Sequence, residues 1–71
     1  MQRVAVSSSA IAEVGYEDAA RVLEVEFTSG RVYRYSDVPP EKHAGLMEAE
    51  SLGTYFGREI RNAGYPCERL R

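Results

Sequence analysis

The stretch Leu23-Glu24-Val25-Glu26-Phe27 alternates apolar and acidic side chains without a break. Because successive side chains of a strand point to opposite faces, this period of two predicts a β-strand with one buried face. Residues 28–30, Thr-Ser-Gly, are typical of a turn, and residues 31–35 are rich in the aromatic and β-branched side chains that favour strands. The two runs therefore predict a β-hairpin at the centre of the fold.

The length of the hairpin loop decides which face of the sheet carries Tyr33 and Tyr35. A two-residue loop would place both tyrosines on the solvent side with the glutamates, whereas a three-residue loop ending in Gly30 would turn them towards the apolar side. We favour the three-residue loop, because it collects the large side chains on one face and a chain this small needs them for its core. Val32 and Arg34 are then expected on the outer, solvated face.

The segments on either side of the hairpin predict one more strand and two helices. The mixed run over residues 10–16 indicates a strictly alternating strand, so that three strands form an antiparallel meander. Pro39 and Pro40 suit the first turn of a helix, where their missing N–H groups are not needed, and residues 41–50 carry a narrow apolar stripe. Ser51 is expected to cap a second helix. The apolar face of that helix carries Leu52, Phe56 and Ile60.

The predicted fold class is therefore α+β, a three-stranded antiparallel β-meander followed by two short helices packed on one face. A chain of 71 residues has room for a single domain, and we expect its core to lie between about residues 6 and 64. Residues 65–71 follow the helix stop signal at Gly64 and are expected to form a frayed tail.

Composition and charge exclude several classes of protein. The chain has 44% apolar and 28% charged residues, and its nine basic and eleven acidic side chains give a net charge of −2. The sequence contains no run of about 18 or more apolar residues and no signal-peptide pattern, so no membrane association is expected. The single cysteine, Cys67, cannot form an intramolecular disulfide. Together these features favour a cytoplasmic protein.

No arrangement of residues in the sequence is typical of an enzyme. One histidine and one cysteine cannot supply a credible metal site, and no phosphate-loop or dinucleotide-binding motif is present. His43 falls on the apolar stripe and is expected to be packed, Cys67 has no base near it in the sequence, and Ser8-Ser9 lacks a glycine elbow. We therefore expect no catalytic residues, no metal and no cofactor.

A set of residues in a fixed order resembles a known family. The set consists of Ser8-Ser9, Ile11, Val14-Gly15-Tyr16, Leu23, Val25, Phe27, Gly30, Tyr33-Arg34-Tyr35, Val38-Pro39, Ala49, Ser51, Gly53, Tyr55-Phe56 and Ile60-Arg61. It resembles the KTSC domain, a short bacterial module that also occurs at the C-terminus of some lysyl-tRNA synthetases. The resemblance implies a small noncatalytic module of unknown function, for which RNA binding has been proposed because of the synthetase fusion. His43 and Gly57 depart from the family's pattern, which does not threaten the predicted fold.

Six residues are candidates for contact with RNA, either tRNA or a single strand. Two tyrosines could stack on bases if they are exposed, and four arginines could neutralise phosphates. These residues are Tyr33, Tyr35, Arg31, Arg34, Arg58 and Arg61. Residues 58–71 carry four basic and two acidic side chains, so basic character gathers at the C-terminal end, although the whole chain is negative. If the tyrosines are buried, the stacking role fails and only the arginines remain.

Two further interpretations stay open at this point. Ser51 and Gly53 could bind an anion at the start of the second helix, although a capping serine and a glycine that allows close packing are the simpler explanation. A sheet covered on one face leaves its other face and two edges available. The alternative to an RNA-binding module is therefore a protein–protein interaction or homo-oligomerisation module, which requires fewer special features in the sequence.

Overall fold

The computed structural model describes residues 2–71, which form one antiparallel sheet with helical segments packed on one face. The sheet has five strands in sequence order: β1 (Arg3–Ala5), β2 (Ile11–Glu17), β3 (Val22–Phe27), β4 (Val32–Tyr35) and β5 (Cys67–Arg69). Between β4 and β5 the chain forms α1 (Pro40–Glu48) and α2 (Leu52–Tyr55). A π-helical turn (Phe56–Ile60) and a 3-10 turn (Arg61–Ala63) continue α2.

The α+β class is confirmed, but the predicted count of three strands is wrong, because β1 and β5 flank the meander of β2, β3 and β4. Each flanking strand has three residues whose side chains are mostly exposed, so neither shows the alternating burial that marks a strand in a sequence. In addition, β5 pairs with a strand that precedes both helices, and no local pattern indicates a partner so far away in the sequence.

The hairpin between β3 and β4 has a three-residue loop, as predicted. Gly30 has a φ of 95°, which is the left-handed region that favours glycine, and its N–H donates a 2.9 Å hydrogen bond to the carbonyl of the last β3 residue. This loop pairs Tyr33 with Val25 and Tyr35 with Leu23. Both tyrosines therefore lie on the side of the sheet that the helices cover.

A β-bulge interrupts the strict alternation expected for β2. Ile11 pairs with Phe27 and Glu13 with Glu26, so β2 has one more residue than β3 over this step. As a result Ile11 and Val14 both lie in the core, although strict alternation would place them on opposite faces. The expected strict alternation is wrong, because the extra residue at the bulge reverses which face the residues before it occupy.

Residues 65–71 do not form a frayed tail, and that prediction is wrong. β5 pairs with β4 in a register that joins Arg69 to Tyr33 and Cys67 to Tyr35. The physical reason is that β4 would otherwise be an edge strand, with unpaired backbone groups beside the core. The C-terminal residues supply those partners.

Val32 lies on the outer face of the sheet but is only 4% exposed, contrary to expectation. Its carbonyl accepts a 2.7 Å hydrogen bond from the N–H of Leu70, which holds the C-terminal residues alongside β4. The guanidinium of Arg71 reaches the Gly30 carbonyl and the Glu26 carboxylate, each at 3.3 Å. The Arg71 side chain thus links the hairpin loop to β3, whose Glu26 pairs with Val32.

The core lies between the central strands and the helical segments. Leu46 of α1 and Phe56 and Ile60 of the π-helical turn are buried on the helix side. The ring of Phe56 makes edge contacts with the rings of Phe27 and Tyr35, each with centroids 5.6 Å apart. The apolar face predicted for the second helix is therefore present, but a π-helical turn carries its buried part.

The helical segments approach each other most closely at Gly45 of α1. A Cβ atom on Gly45 would lie 2.7 Å from Cζ of Tyr55, which is closer than carbon atoms approach without displacement. Tyr55 is half-buried and packs against the core, so its whole ring would have to move. This contact is the structural reason for a glycine inside α1, where alanine has the better helix propensity.

Gly45→Ala is expected to lower the free energy of unfolding by about 1–2 kcal/mol, because overpacking outweighs the gain in helix propensity. Gly57→Ala is the matched control, since nothing lies within 4 Å of its Cβ position, and it should be neutral or slightly stabilising. Urea unfolding followed by circular dichroism measures both changes. In a Tyr55→Leu background Gly45→Ala should lose most of its effect, and an equal effect in both backgrounds would contradict the steric explanation.

His43 occupies the packed position expected for it. Its imidazole stacks on the ring of Tyr16 with centroids 4.6 Å apart and an angle of 8° between the planes. The hydroxyl of Tyr16 donates a 2.6 Å hydrogen bond to the Val38 carbonyl, which orients the ring. Burial lowers the pKa of His43 from its ordinary value of 6.5.

The free energy of unfolding is expected to fall as the pH is lowered from about 7.5 to about 5.5. The unfolded chain protonates His43 near pH 6.5, whereas the folded chain resists protonation until a lower pH, so acid favours the unfolded state. His43→Phe retains an aromatic ring and removes the titration, so its stability should depend less on pH over this window. Urea titrations at several pH values test this, and parallel profiles for the two proteins would show that His43 is not responsible.

Candidate functional site

A cleft of about 700 Å³ opens between the β3–β4 hairpin, the residues that precede β2 and the residues that lead into β5. Four of the six candidate RNA-binding residues line it, namely Arg31, Tyr33, Tyr35 and Arg61. They come from the hairpin and from the 3-10 turn, which are far apart in the sequence. The tertiary structure therefore brings most of the predicted set together in one place.

The cleft carries positive charge, although the chain as a whole is negative. Arg31 and Arg61 lie in its walls, whereas none of its lining residues is an aspartate or a glutamate. Within residues 2–71 neither arginine forms an ion pair with a carboxylate. Two exposed guanidinium groups without a carboxylate between them create a local field that attracts anions.

Tyr33 keeps part of its ring open to the cleft. It is half-buried, and its ring makes an edge contact with Phe27 at a centroid distance of 5.7 Å and an angle of 81°. That contact orients the ring, while the wall position leaves the ring accessible from the cleft. Tyr33 is therefore suited to stacking against a planar ligand.

Tyr35 is part of the core and has little ring surface to offer a base. It is 6% exposed and packs edge-on against Phe56. Burial, followed by the neighbouring Cys67 thiol, raises the pKa of Tyr35 to about 12. Tyr35 therefore cannot stack on a base. The register that places Tyr33 at the cleft places Tyr35 beneath the helical segments, where Phe56 covers its ring.

Arg34 lies outside the cleft, on the opposite face of the sheet. Its Nε and Nη2 atoms both donate to Oε2 of Glu24, at 3.3 and 2.9 Å. On the same face Arg3 contacts Glu26 at 3.1 Å, so the outer surface is a set of cross-strand ion pairs. Arg34 therefore lies on the outer face as expected, where it forms an ion pair with Glu24 and does not line the cleft.

Arg58 also lies outside the cleft. It is well exposed, and its Nε donates to Oε2 of Glu59 at 3.1 Å. Oε1 of the same carboxylate accepts a 2.6 Å hydrogen bond from Nζ of Lys42 in α1. These hydrogen bonds lower the pKa of Glu59, the bond from Lys42 most of all. Arg58 thus pairs with its neighbour Glu59 outside the cleft, although Arg61 lies only three residues further along.

β5 and Tyr65, two residues before it, add side chains to the site that the sequence analysis did not name as candidates. Tyr65 and Cys67 line the cleft, and Arg69 pairs with Tyr33 across the β4–β5 ladder, which places its side chain on the cleft side of the sheet. These residues were missed because residues 65–71 were expected to fray. The concentration of basic residues after residue 57 was the one sequence signal that pointed to this region.

The proposed anion site at Ser51 and Gly53 gains no support from the geometry. A smaller cleft of about 460 Å³ does lie there, but Glu50 also lines it. The Oγ atom of Ser51 accepts a hydrogen bond from the Thr54 N–H at 3.4 Å and donates one to Thr54 Oγ1 at 2.8 Å. Ser51 therefore acts as a helix cap, and a carboxylate beside it disfavours an anion.

The residues that the structure describes, 2–71, contain no cluster of three or more histidine, cysteine, aspartate or glutamate side chains suited to a metal ion. No helix over the same residues is long and apolar enough to cross a membrane. The groups that line the main cleft are guanidinium, hydroxyl, aromatic and thiol groups. This set can bind an anionic, planar ligand by charge, hydrogen bonds and stacking.

The family model of the KTSC domain matches residues 7–65, and the chain belongs to the KTSC domain family. The resemblance seen in the sequence is thus confirmed. An uncharacterized protein of Stutzerimonas stutzeri is 46% identical over 70 residues, which are 99% of each chain. The crystal structure of a KTSC domain protein from Yersinia pestis has 37% sequence identity and a TM-score of 0.90, and the match covers 99% of this chain and 97% of that chain.

Two lysine–tRNA ligases contain a similar segment. The ligases of Nostoc punctiforme and Trichormus variabilis are 40% and 42% identical to this chain, each over 53 residues. The match covers 75% of this chain but 9% of each ligase. The similarity therefore concerns a small part of each ligase.

Proposed function

We propose that this chain is a noncatalytic, cytoplasmic module that binds RNA in the cleft beside the β3–β4 hairpin. The observation that carries the proposal is the pairing of Arg31 and Arg61, without a carboxylate in the cleft, with the accessible ring of Tyr33. Arginines contact phosphates and aromatic rings stack on bases, and both are needed to hold RNA.

Two further observations support the proposal. Homologous segments occur in lysine–tRNA ligases, whose substrates include an RNA. The cleft is lined by guanidinium, hydroxyl, aromatic and thiol groups and by no carboxylate, a set that suits the binding of an anionic, planar ligand. Tyr33, Arg31 and Arg61 are the residues that we propose contact RNA, with Arg69 next to them.

Binding to a labelled single-stranded RNA and to a tRNA is expected, and it should weaken as salt is raised. Two phosphate contacts with a single strand predict a slope of about −1.4 for the logarithm of the association constant against that of salt concentration. Fluorescence anisotropy at several salt concentrations measures this slope. No binding at about 100 μM protein in low salt would overturn the proposal, since even nonspecific binders reach about that affinity.

Arg61 and Arg58 provide a matched pair of variants for the same titration. Arg61→Gln removes a cleft cation and should weaken binding and reduce the salt slope by about 0.7. Arg58→Gln removes the same charge three residues away, outside the cleft, and should leave the slope unchanged. Equal effects of the two substitutions would show that general charge, and not the cleft, binds the RNA.

A protein–protein interaction or homo-oligomerisation module is the second candidate, and the sheet edges favour it. β1 and β5 are the two edge strands, and each has an exposed apolar side chain on or beside it, Val4 at 55% and Leu70 at 41%. Unpaired strand edges with apolar side chains are templates for pairing with another chain.

Self-association through these edges predicts a dimer whose fraction rises with concentration in sedimentation equilibrium. Val4→Lys should return such a dimer to monomer, because it places a charge on the β1 edge. Ala19→Lys, an exposed change in the turn between the inner strands β2 and β3, is the control and should leave the association unchanged. A monomer up to about 1 mM would exclude self-association of even modest affinity.

A further inference from the structure

We infer that the cleft accepts unpaired nucleotides of an RNA, with one base against Tyr33 and the adjacent phosphates on Arg31 and Arg61, and that it excludes a duplex. This inference rests on the proposed function, because it specifies the form of RNA that the same cleft takes. Three features of the cleft support this inference: its size, the position of its aromatic rings and the placement of its two arginines.

The cleft has the size of a small-molecule site. Its volume of about 700 Å³ lies within the range of roughly 300–1,000 Å³ that is common for pockets that enclose small ligands. One or two nucleotides are ligands of this size, whereas domains that recognise double-stranded RNA contact about 16 base pairs along the helix. The longest dimension of this chain is 27 Å, which is too short for such a contact.

The aromatic rings favour an unpaired base. Tyr33 from β4 and Tyr65 from the segment before β5 are both half-buried, and both line the cleft. A base inside a duplex has both faces covered by its neighbours, so a tyrosine within a cleft can reach only a base that has left the stack. Phe27 holds the ring of Tyr33 in place, so the stacking surface is formed before the ligand arrives.

The two cations lie on different elements that border this stacking surface. Arg31 immediately precedes the strand that carries Tyr33, while Arg61 comes from the 3-10 turn that follows the helices. We therefore expect these two guanidinium groups to contact the phosphates that precede and follow the nucleotide whose base lies on Tyr33. Neither guanidinium forms an ion pair with a carboxylate of residues 2–71 that a phosphate would have to displace.

Cys67 offers a direct measure of whether the cleft is occupied. It is the only cysteine in the chain, its side chain is exposed and it lines the cleft with the residues named above. A ligand in the cleft covers the thiol, whereas a ligand bound elsewhere leaves it free. The rate of alkylation at Cys67 therefore reports on the site itself.

The test uses the full chain and one RNA sequence in two forms, an eight-nucleotide single strand and the same strand annealed to its complement. Each form competes with a labelled single strand in fluorescence anisotropy, and each is added at saturation while iodoacetamide alkylation of Cys67 is followed by mass spectrometry. The single strand is expected to compete at least tenfold better than the duplex and to slow alkylation about tenfold. The duplex should slow it little.

Variants separate stacking from charge in this experiment. Tyr33→Leu retains an apolar side chain in the sheet. It should weaken binding of the single strand about tenfold or more, since the stacking of one base is lost. The same change should leave the salt slope intact, whereas Arg31→Gln should reduce it. Circular dichroism of each variant confirms that it is folded.

The possible outcomes distinguish this inference from the proposed function. If the duplex competes as well as the single strand, or if the single strand binds without protecting Cys67, RNA binding stands and the inference about the cleft is overturned. If neither form binds, the proposed function fails and the inference fails with it. Preferential binding of the single strand with protection of Cys67 supports both.

Discussion

The left-handed turn at Gly30 determines the register of the central hairpin, and much of the structure depends on that register. A loop one residue shorter would exchange the two faces of β4, which would move Tyr35 out of the core and Arg34 into it. In the observed register Tyr35 packs on Phe56, and Arg34 pairs with Glu24 on the outer face. One backbone conformation thus separates an apolar, helix-covered side from a charged one.

That separation explains how a chain of net charge −2 can contain a basic cleft. On the outer face the guanidinium groups of Arg3, Arg34 and Arg71 are bound by glutamates of the central strands. In the cleft Arg31 and Arg61 have no such partners among residues 2–71. Since the field at a surface depends on the local arrangement of charges, the net charge of the chain is a poor guide to the ligand of this site.

The C-terminal strand completes both the sheet and the site. It pairs with β4 and so removes an exposed edge beside the core, and its Cys67, with the preceding Tyr65, forms part of the cleft wall. The cleft is therefore assembled within one short chain. Such a self-contained unit suits a family in which similar segments span nearly all of one bacterial protein and 9% of a tRNA ligase.

Local patterns in the sequence were enough to predict several features. Alternation over residues 23–27 predicted the hairpin, the need for large side chains in a small core favoured its three-residue loop, and two prolines predicted the start of α1, while an ordered set of residues indicated the family. Arg31, Tyr33 and Arg61 were also named as candidates from residue type, and the structure places all three in the cleft.

Other features appear only in the folded chain, namely the bulge in β2, the pairing of β5, the burial of Val32 and the difference in exposure between Tyr33 and Tyr35. The folded chain also shows that Arg34 binds Glu24 on the outer face, while Arg31 and Arg61 face the cleft. The physical reason is that each of these features depends on contacts between residues far apart in the chain, and such contacts leave no periodic signal in the sequence.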